Sequence, residues 1–187
     1  MLRHIEEHGK CVEITGFRDV TIDNAEEFVK SMRNPKRRNI TVQFFNAELI
    51  ATWQHLYFAV LDALLAFRNE WNVSKDVAME VMLYVSAQRQ IRKAIELVGV
   101  KRGCANVAMV IVGENQTEVK RTLSALSERL GKQPVETVLE FSRGKSSGVR
   151  RAFGIAEAET ATISEKNPDK ALVNLVIERM ALLATQL

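Results

Sequence analysis

Basic side chains are grouped around one short stretch of this chain, at spacings that could bind phosphate. Arg89, Arg92 and Lys93 lie on one flank of a predicted helix, and Lys101 and Arg102 follow directly after that helix ends. Cations that converge on one surface attract phosphate groups, so this cluster predicts contact with RNA. A second basic run is a further candidate RNA contact and consists of Lys36, Arg37 and Arg38.

Each basic group alone also fits an ordinary solvated surface. Arg92 is spaced four residues before Glu96, so the two side chains could simply form a helical ion pair worth a few tenths of a kcal/mol. The RNA interpretation therefore depends on the groups lying near one another.

Catalytic and metal-binding chemistry is not favoured by the sequence. His4, His8 and His55 have no Cys or carboxylate at a ligand spacing, and the common dinucleotide, phosphate-loop and nucleophile motifs are absent. The segment 142–148, SRGKSSG, begins at Ser142 and ends at Gly148. We expect it to be a flexible loop, but it also allows an alternative function, a small nucleotide- or phosphate-binding enzyme of α/β class. We expect no catalytic residue, no metal and no cofactor.

Composition indicates an ordinary soluble protein. The 187 residues are 47% hydrophobic and 26% charged, which predicts one domain spanning residues 1–187. The net charge of +3 permits a nucleic-acid partner without requiring one. The two cysteines have no paired spacing, and the most apolar stretch is interrupted by Asp62 and too short to span a bilayer. We expect no membrane association and a cytoplasmic protein, nuclear as well if eukaryotic.

Hydrophobic periodicity predicts strands that alternate with helices. The predicted strands are 11–17, 40–45, 106–112 and 135–141. The predicted helices are 24–32, 47–68, 74–98, 116–130, 149–153 and one from 167 to near the C-terminus. The pattern indicates an α/β (α+β) fold with a mixed central sheet of about four strands packed against long helices.

Gln88 lies in an unusual place on the predicted helix 74–98. A helical wheel puts five apolar residues within about 60° of it, namely Val77, Val81, Tyr84, Ile91 and Ile95. We expect Gln88 to be buried and hydrogen-bonded, because a buried amide without a partner costs free energy.

The last helix is apolar over an arc of about 220°, which is wider than the stripe of a typical surface helix. We expect one stripe, either Leu172-Val176-Leu183 or Val173-Ile177-Met180-Ala184, to pack inward. The other stripe should stay partly exposed for a partner. Arg179 lies inside the arc and needs an acidic or carbonyl partner. The candidate interface residues are Leu172, Val173, Val176, Ile177, Arg179, Met180, Leu183 and Ala184.

An ordered set of residues resembles the signature of the kinase-binding regulatory subunits of the KEOPS/EKC complex (the TPRKB, or PRPK-binding protein, family), archaeal type. The set comprises Met79-Glu80, Tyr84, Ser86, Gln88-Arg89-Gln90-Ile91, Ala94-Ile95-Glu96 and Gly99. Its centre, which we take as the structural signature, is formed by Gln88, Gln90, Ile91 and Gly99. Further matches cover most of the chain and include Asn46-Ala47, His55-Leu56, Phe153-Gly154-Ile155, Glu178-Arg179 and Ala181-Leu182-Leu183.

The resemblance implies a non-catalytic subunit. Proteins of this family bind the N-terminal lobe of the complex's small atypical kinase/ATPase and promote its activity. Archaeal members also hold the single-stranded CCA end of transfer RNA, on which the complex installs threonylcarbamoyl-adenosine. The transfer reaction belongs to another subunit, with which this chain would have only indirect contact.

Overall fold

The computed structural model describes residues 1–33, 39–162 and 167–185. These residues contain four strands and eight α-helices. The chain divides into two compact units: Met1–Ala47 with Gly99–Val138, and Glu48–Val98 with Leu139–Leu187. The predicted α/β class, with a sheet of about four strands and long helices, is confirmed. That residues 1–187 form one domain stays a prediction.

The first unit contains the sheet. Its strands are β1 (Leu2–Ile5), β2 (Lys10–Phe17), β3 (Ile40–Asn46) and β4 (Val107–Gly113), in the order β1-β2-β4-β3. All three pairings are antiparallel, rather than of mixed direction as expected. The connections before β3 and β4 are long enough to return the chain either way, so the sequence does not fix strand direction. Strand β4 is buried throughout, as its almost wholly apolar sequence predicts.

Two capped helices complete the described part of this unit. Helix α1 (Ala25–Met32) begins at Asn24, whose side chain accepts hydrogen bonds from the backbone N–H groups of Glu26 and Glu27. Helix α5 (Gln116–Leu130) is capped by Asn115 and packs on β2 and β4. The core includes the side chains of Phe17, Phe28, Phe44, Met109, Ile111, Val119 and Leu126.

The predicted strand 135–141 is wrong. Val135 N–H donates a backbone hydrogen bond to Gly16 O of β2 at 2.7 Å, and no strand continues from it within the described residues. The chain then turns into a short 3₁₀ helix, Glu136–Leu139. A Cβ on Gly16 would lie 2.7 Å from Val138 Cβ, so only glycine permits this close approach. The fourth strand is instead β1, which the sequence did not reveal.

The second unit is helical. After β3 the chain forms α2 (Trp53–Arg68), α3 (Val77–Ser86) and α4 (Ile91–Val98), and after α5 it forms α6 (Arg143–Phe153), α7 (Glu157–Thr162) and α8 (Pro168–Thr185). Helix α8 packs against α2, α3, α6 and α7. Helix α2 begins at Trp53, later than the predicted 47, whereas α8 begins at Pro168, directly after Asn167, as predicted.

The prediction of one continuous helix over 74–98 is wrong, because the chain breaks at Ala87. Ala87 has φ 51° and ψ 36°, the left-handed conformation that ends many helices. Its N–H donates to Tyr84 O and that of Gln88 donates to Leu83 O, which together form a Schellman turn. The first helix also begins later than the predicted residue 74, because α3 is capped by Asp76, whose side chain accepts a hydrogen bond from Ala78 N–H.

The segment 142–148 is not a flexible loop. Ser142 occupies the N-cap position of α6, and the remaining six residues form its first turns. The predicted short helix 149–153 is the second half of the same helix. Glycine and serine are poor helix formers. Three apolar or aliphatic side chains, Lys145, Val149 and Phe153, recur every four residues and are buried, so packing overrides propensity.

His55 is a fully buried polar group in the second unit. Its Nε2 lies 2.9 Å from Val85 O, and its Nδ1 accepts a hydrogen bond from Ala51 N–H. The ring also packs edge-on against Phe153, with ring centroids 5.4 Å apart. With Nε2 as donor and Nδ1 as acceptor, the neutral ring satisfies both contacts. Burial lowers the pKa of His55 to about 4.

The left-handed residue predicts the effect of one substitution on stability. Ala87→Gly should raise the free energy of unfolding by about 1 kcal/mol, because the strain of an L-residue in this conformation is relieved. Gly131→Ala provides the matched control. Gly131 has φ 62° and open space around its Cβ position, so alanine there should destabilise by a similar amount. Urea unfolding measures both, and a destabilising Ala87→Gly would contradict the strain argument.

The buried histidine predicts a pH dependence. The pKa of His55 is about 4 in the folded protein and 6.5 when the ring is exposed to water in the unfolded chain, so folding favours the neutral ring. This stability is complete above pH 6.5 and is lost as pH falls towards 4, by about 3 kcal/mol in total. Urea unfolding at pH 7 and pH 4.5 should show a smaller loss for His55→Gln than for the wild type. The exposed His4→Gln is the control and should keep the wild-type loss, whereas equal losses in all three proteins would refute the assignment.

Candidate functional site

The five predicted RNA contacts around the helix end fall into the two units. Arg89, Arg92 and Lys93 are exposed in the second unit, whereas Lys101 and Arg102 are exposed in the first. Arg92 Nε lies 2.9 Å from Glu96 Oε1, so the anticipated helical ion pair is present. The pair is highly exposed and therefore worth little, so it leaves the guanidinium group available to a phosphate. The other candidates, Lys36, Arg37 and Arg38, lie outside the described residues.

The turn at Ala87 decides which side of α4 faces water. Ala94 and Val98 are buried, whereas Ile91 and Ile95 are 41% and 43% exposed. Both isoleucines were expected on the same buried stripe as Tyr84, and that expectation is wrong because the break rotates α4 relative to α3. Helix α4 therefore presents an apolar pair beside basic residues. We call Arg89, Ile91, Arg92, Lys93 and Ile95 the α4 face.

The signature residues have separate positions around this turn. Gln88 is half-buried, rather than buried within a helix stripe, and its backbone N–H closes the turn. Gln90 is exposed and its carbonyl accepts from Ala94 N–H at the start of α4. Gly99 is buried and forms an isolated β-bridge with Phe45. Gln88 was placed wrongly because alanine, a strong helix former, gives no sign of the break.

An open cavity of about 450 Å³ lies beside Gln88 in the second unit. Its lining includes Ser86 and Gln88 from the turn, Phe153 from α6, and Leu175, Arg179 and Leu182 from α8. This volume is within the range of cavities that bind small ligands. The lining combines an amide, a hydroxyl and apolar side chains with the charged side chains of Glu159, Glu178 and Arg179.

Arg179 is fixed at the wall of this cavity. It donates to Phe153 O at 2.8 Å and to Glu159 Oε2 at 2.7 Å. The expected need for an acidic or carbonyl partner is thus met by both. Glu159 also accepts from Ala156 N–H, and these hydrogen bonds, first that from Ala156 and then that from Arg179, lower the pKa of its carboxyl group. Arg179 is consequently held in place and ties α8 to α6 and α7.

One stripe of α8 is buried and both of its edges are partly exposed. Leu172, Val176, Met180 and Leu183 are buried, whereas Val173, Ile177 and Ala184 are half-buried. Met180 was grouped with the second stripe, but it lies only about 40° from Val176 on the helix and joins the first. We call Val173, Ile177 and Ala184 the α8 flank. On the opposite edge, Leu175 and Leu182 border the cavity.

The lysine of SRGKSSG does not project towards solvent. Lys145 is buried, and burial lowers the pKa of its ammonium group while the Glu48 carboxylate acts in the opposite direction. A phosphate-binding lysine must reach an open loop, and this one is placed in a helix beside an acidic side chain. The geometry therefore offers no support for an enzyme built on residues 142–148.

Asp62 is a notable polar residue that the functional interpretation of the sequence missed. It lies half-buried on α2, and desolvation raises the pKa of its carboxyl group to about 6. The sequence did carry a signal for it, because a lone carboxylate within the most apolar stretch of the chain indicates a partly buried charge. Its carboxylate also helps to raise the pKa of the Tyr84 hydroxyl to about 12, after burial itself and ahead of Glu80.

Among residues 1–33, 39–162 and 167–185, no group of three or more His, Cys, Asp and Glu side chains is arranged to hold a metal ion. None of the helices in those ranges combines the length and apolar character that crossing a membrane requires.

The architecture defined so far is an antiparallel sheet unit and a helical unit with partly apolar exposed surfaces. The family described as "Kinase binding protein CGI-121" matches residues 17–184. The "Regulatory protein Cgi121" of Methanocaldococcus jannaschii is 30% identical over 113 residues, which is 60% of this chain and 70% of that protein. The chain belongs to the CGI-121 family of kinase-binding proteins.

Proposed function

We propose that this chain is the non-catalytic regulatory subunit of a KEOPS-type complex. It binds the N-lobe of the small atypical kinase/ATPase, promotes its activity and helps to hold the CCA end of transfer RNA for threonylcarbamoyl-adenosine modification. Contact with the transferase subunit is indirect. Membership of a kinase-binding family over residues 17–184 is the observation that carries the kinase role.

The α4 face supports the RNA part of the proposal. Arg89, Arg92 and Lys93 supply positive charge, and Ile91 and Ile95 supply an exposed apolar surface to one side of Arg92. Glu96, which pairs with Arg92, lies among these cations. Single-stranded nucleic acid is bound by such combinations, because cations follow the phosphates while apolar side chains contact the unstacked bases. Exposed isoleucine side chains add no stability to a helix face that contacts only water, whereas they could contact the bases of a bound RNA.

The cavity beside Gln88 would accept the terminal nucleotide. Gln88 links the two features, because it lines the cavity and is followed directly by Arg89 of the α4 face. Its amide offers both a donor and an acceptor to the edge of a base. Leu175 and Leu182 offer apolar contact to the ring.

The α8 flank supports the kinase part. Val173 and Ile177 are apolar, half-buried and adjacent on one edge of the last helix, whereas the neighbouring Val176 is fully buried. Partly exposed apolar side chains on a rigid helix are typical of docking surfaces. The flank therefore remains the candidate kinase contact on α8.

Charge removal on the α4 face should weaken RNA binding in a salt-dependent way. With an oligonucleotide that ends in CCA, the triple change Arg89→Ala, Arg92→Ala and Lys93→Ala should lower affinity. It should also reduce the slope of log K against log salt by about 0.7 for each lost phosphate contact. Lys101→Ala with Arg102→Ala tests the first unit separately. Lys120→Ala with Arg121→Ala, two exposed cations of α5, is the control.

The two isoleucines provide a second, independent measurement. Ile91→Ser with Ile95→Ser should lower affinity and leave the salt slope unchanged, because base contacts release no counterions. If the variant Arg89/Lys93/Lys101/Arg102→Ala folds and binds like the wild type, the patch is rejected. Attention would then turn to Lys36, Arg37 and Arg38.

The α8 flank predicts opposite outcomes for two adjacent residues. Ile177→Asp should abolish kinase binding while the protein still unfolds cooperatively, because the new charge must be desolvated at an apolar contact without a counter-charge. Val176→Asp should instead destabilise the chain by several kcal/mol, since Val176 is fully buried. Thermal melting together with a pull-down of the kinase separates the two. A folded Ile177→Asp variant that retains the kinase would move the interface away from the α8 flank.

A further inference from the structure

The side of α2 that faces water is apolar along most of its length. Tyr57, Phe58, Leu61 and Leu65 lie within about 100° of one another on the helical wheel. Phe58 is 41% exposed and the other three are half-buried. The rings of Tyr57 and Phe58 also contact each other, with centroids 5.9 Å apart. We call these four residues the α2 face.

The opposite side of the same helix already supplies its share of the core. Leu56, Ala59, Val60 and Ala63 are fully buried there, so the α2 face is not needed to build the fold. Gln54 and Arg68, two polar residues on the exposed side, lie in the first turn and at the last residue of α2, and Asp62 lies at the edge of that side. An exposed apolar patch of this kind on a stable helix marks an interaction surface.

Asp62 lies at one edge of the α2 face, one turn after Phe58. It is half-buried, and within the described ranges neither a hydrogen bond nor an ion pair engages its carboxylate. A carboxylate that is partly removed from water without a partner costs free energy. The cost remains in the isolated chain and would be offset by a cation that arrives from outside.

We propose that the α2 face with Asp62 is a docking surface for the kinase partner, which inserts a lysine or arginine side chain against the Asp62 carboxylate. The inference rests on the proposed kinase-binding function. The family supplies the partner, since its members are kinase-binding proteins. Charge complementarity selects the side chain that the partner inserts, because an apolar group would leave Asp62 buried and unpaired, whereas a cation flanked by apolar groups satisfies both features. An arginine would also stack on the neighbouring aromatic rings.

The test combines kinase affinity with stability. Asp62→Asn keeps the shape but removes the charge, so kinase affinity measured by calorimetry should fall roughly 30-fold or more. The same variant should melt at or above the wild-type temperature, because an unpaired, desolvated carboxylate has been removed. A residue that matters only for the fold would not combine lost binding with unchanged or higher stability. Asp23→Asn, at an exposed carboxylate in the first unit, is the matched control and should change neither quantity.

Further variants separate the possible outcomes. Phe58→Ala should weaken binding, and Asp62→Lys should abolish it. Wild-type affinity in both Asp62→Asn and Phe58→Ala, with loss only in Ile177→Asp, would overturn the α2 face and leave the regulatory function intact. A wild-type chain that fails to bind the kinase would reject the proposed function itself. If the wild-type chain self-associates in solution, and Asp62→Lys abolishes that association without changing kinase affinity, the face serves self-association and the kinase is the wrong occupant.

Discussion

The turn at Ala87 separates α3, which is almost wholly buried, from α4, which is exposed along its basic and apolar sides. Without this turn the hydrophobic period of α3 would continue, and Ile91 and Ile95 would follow Val81 and Tyr84 into the core. The left-handed residue ends that period and lets Ala94 and Val98 become the buried side of a new helix. The α4 face and the position of Gln88 at the cavity both depend on it. The strain of an alanine in this conformation, about 1–2 kcal/mol, is stored at the candidate site, where such strain is often found.

Two ionisable residues of α2 show how a structural polar group differs from one that awaits a partner. His55 is fully buried but neutral, and its two ring nitrogens are both satisfied. Asp62 is less buried but ionised at neutral pH, with no described partner. As pH falls, His55 lowers the free energy of unfolding, because its ring is harder to protonate in the folded protein than in the unfolded chain. Asp62 raises it, because its carboxylate is easier to protonate in the folded protein. His55 is thus a core residue whose polar atoms are satisfied within the fold. Asp62 instead leaves a partly desolvated charge, which the proposed cation from the partner would offset.

The predicted helices 24–32 and 116–130 and the predicted start of the last helix at 167 agree with the structure to within a residue, because local chemistry fixes these ends. Asn24 and Asn115 cap helices, Gly131 ends one and Pro168 begins one, because each acts through its own backbone or a bond to a near neighbour. The failures depend on distant contacts. The chain at Val135 bends because Gly16 lets it approach, and residues 142–148 form a helix because Lys145, Val149 and Phe153 are buried. The basic residues of the α4 face were predictable, but its isoleucines were not, because their exposure follows from the unsignalled turn at Ala87.

Helix α8 is the element that borders both candidate sites of the second unit. Val173 and Ile177 lie on one edge, and Leu175, Arg179 and Leu182 line the cavity on the other. Coupling between kinase binding and RNA binding requires an element whose position both ligands bias. Arg179 fixes α8 to the carbonyl of Phe153 and to Glu159, so in the proposed complex any shift of the α8 flank would act on these bonds and on the cavity wall. Binding of the kinase at one edge of α8 would therefore change the affinity for RNA at the other edge. By thermodynamic linkage, RNA would change the affinity for the kinase by the same factor.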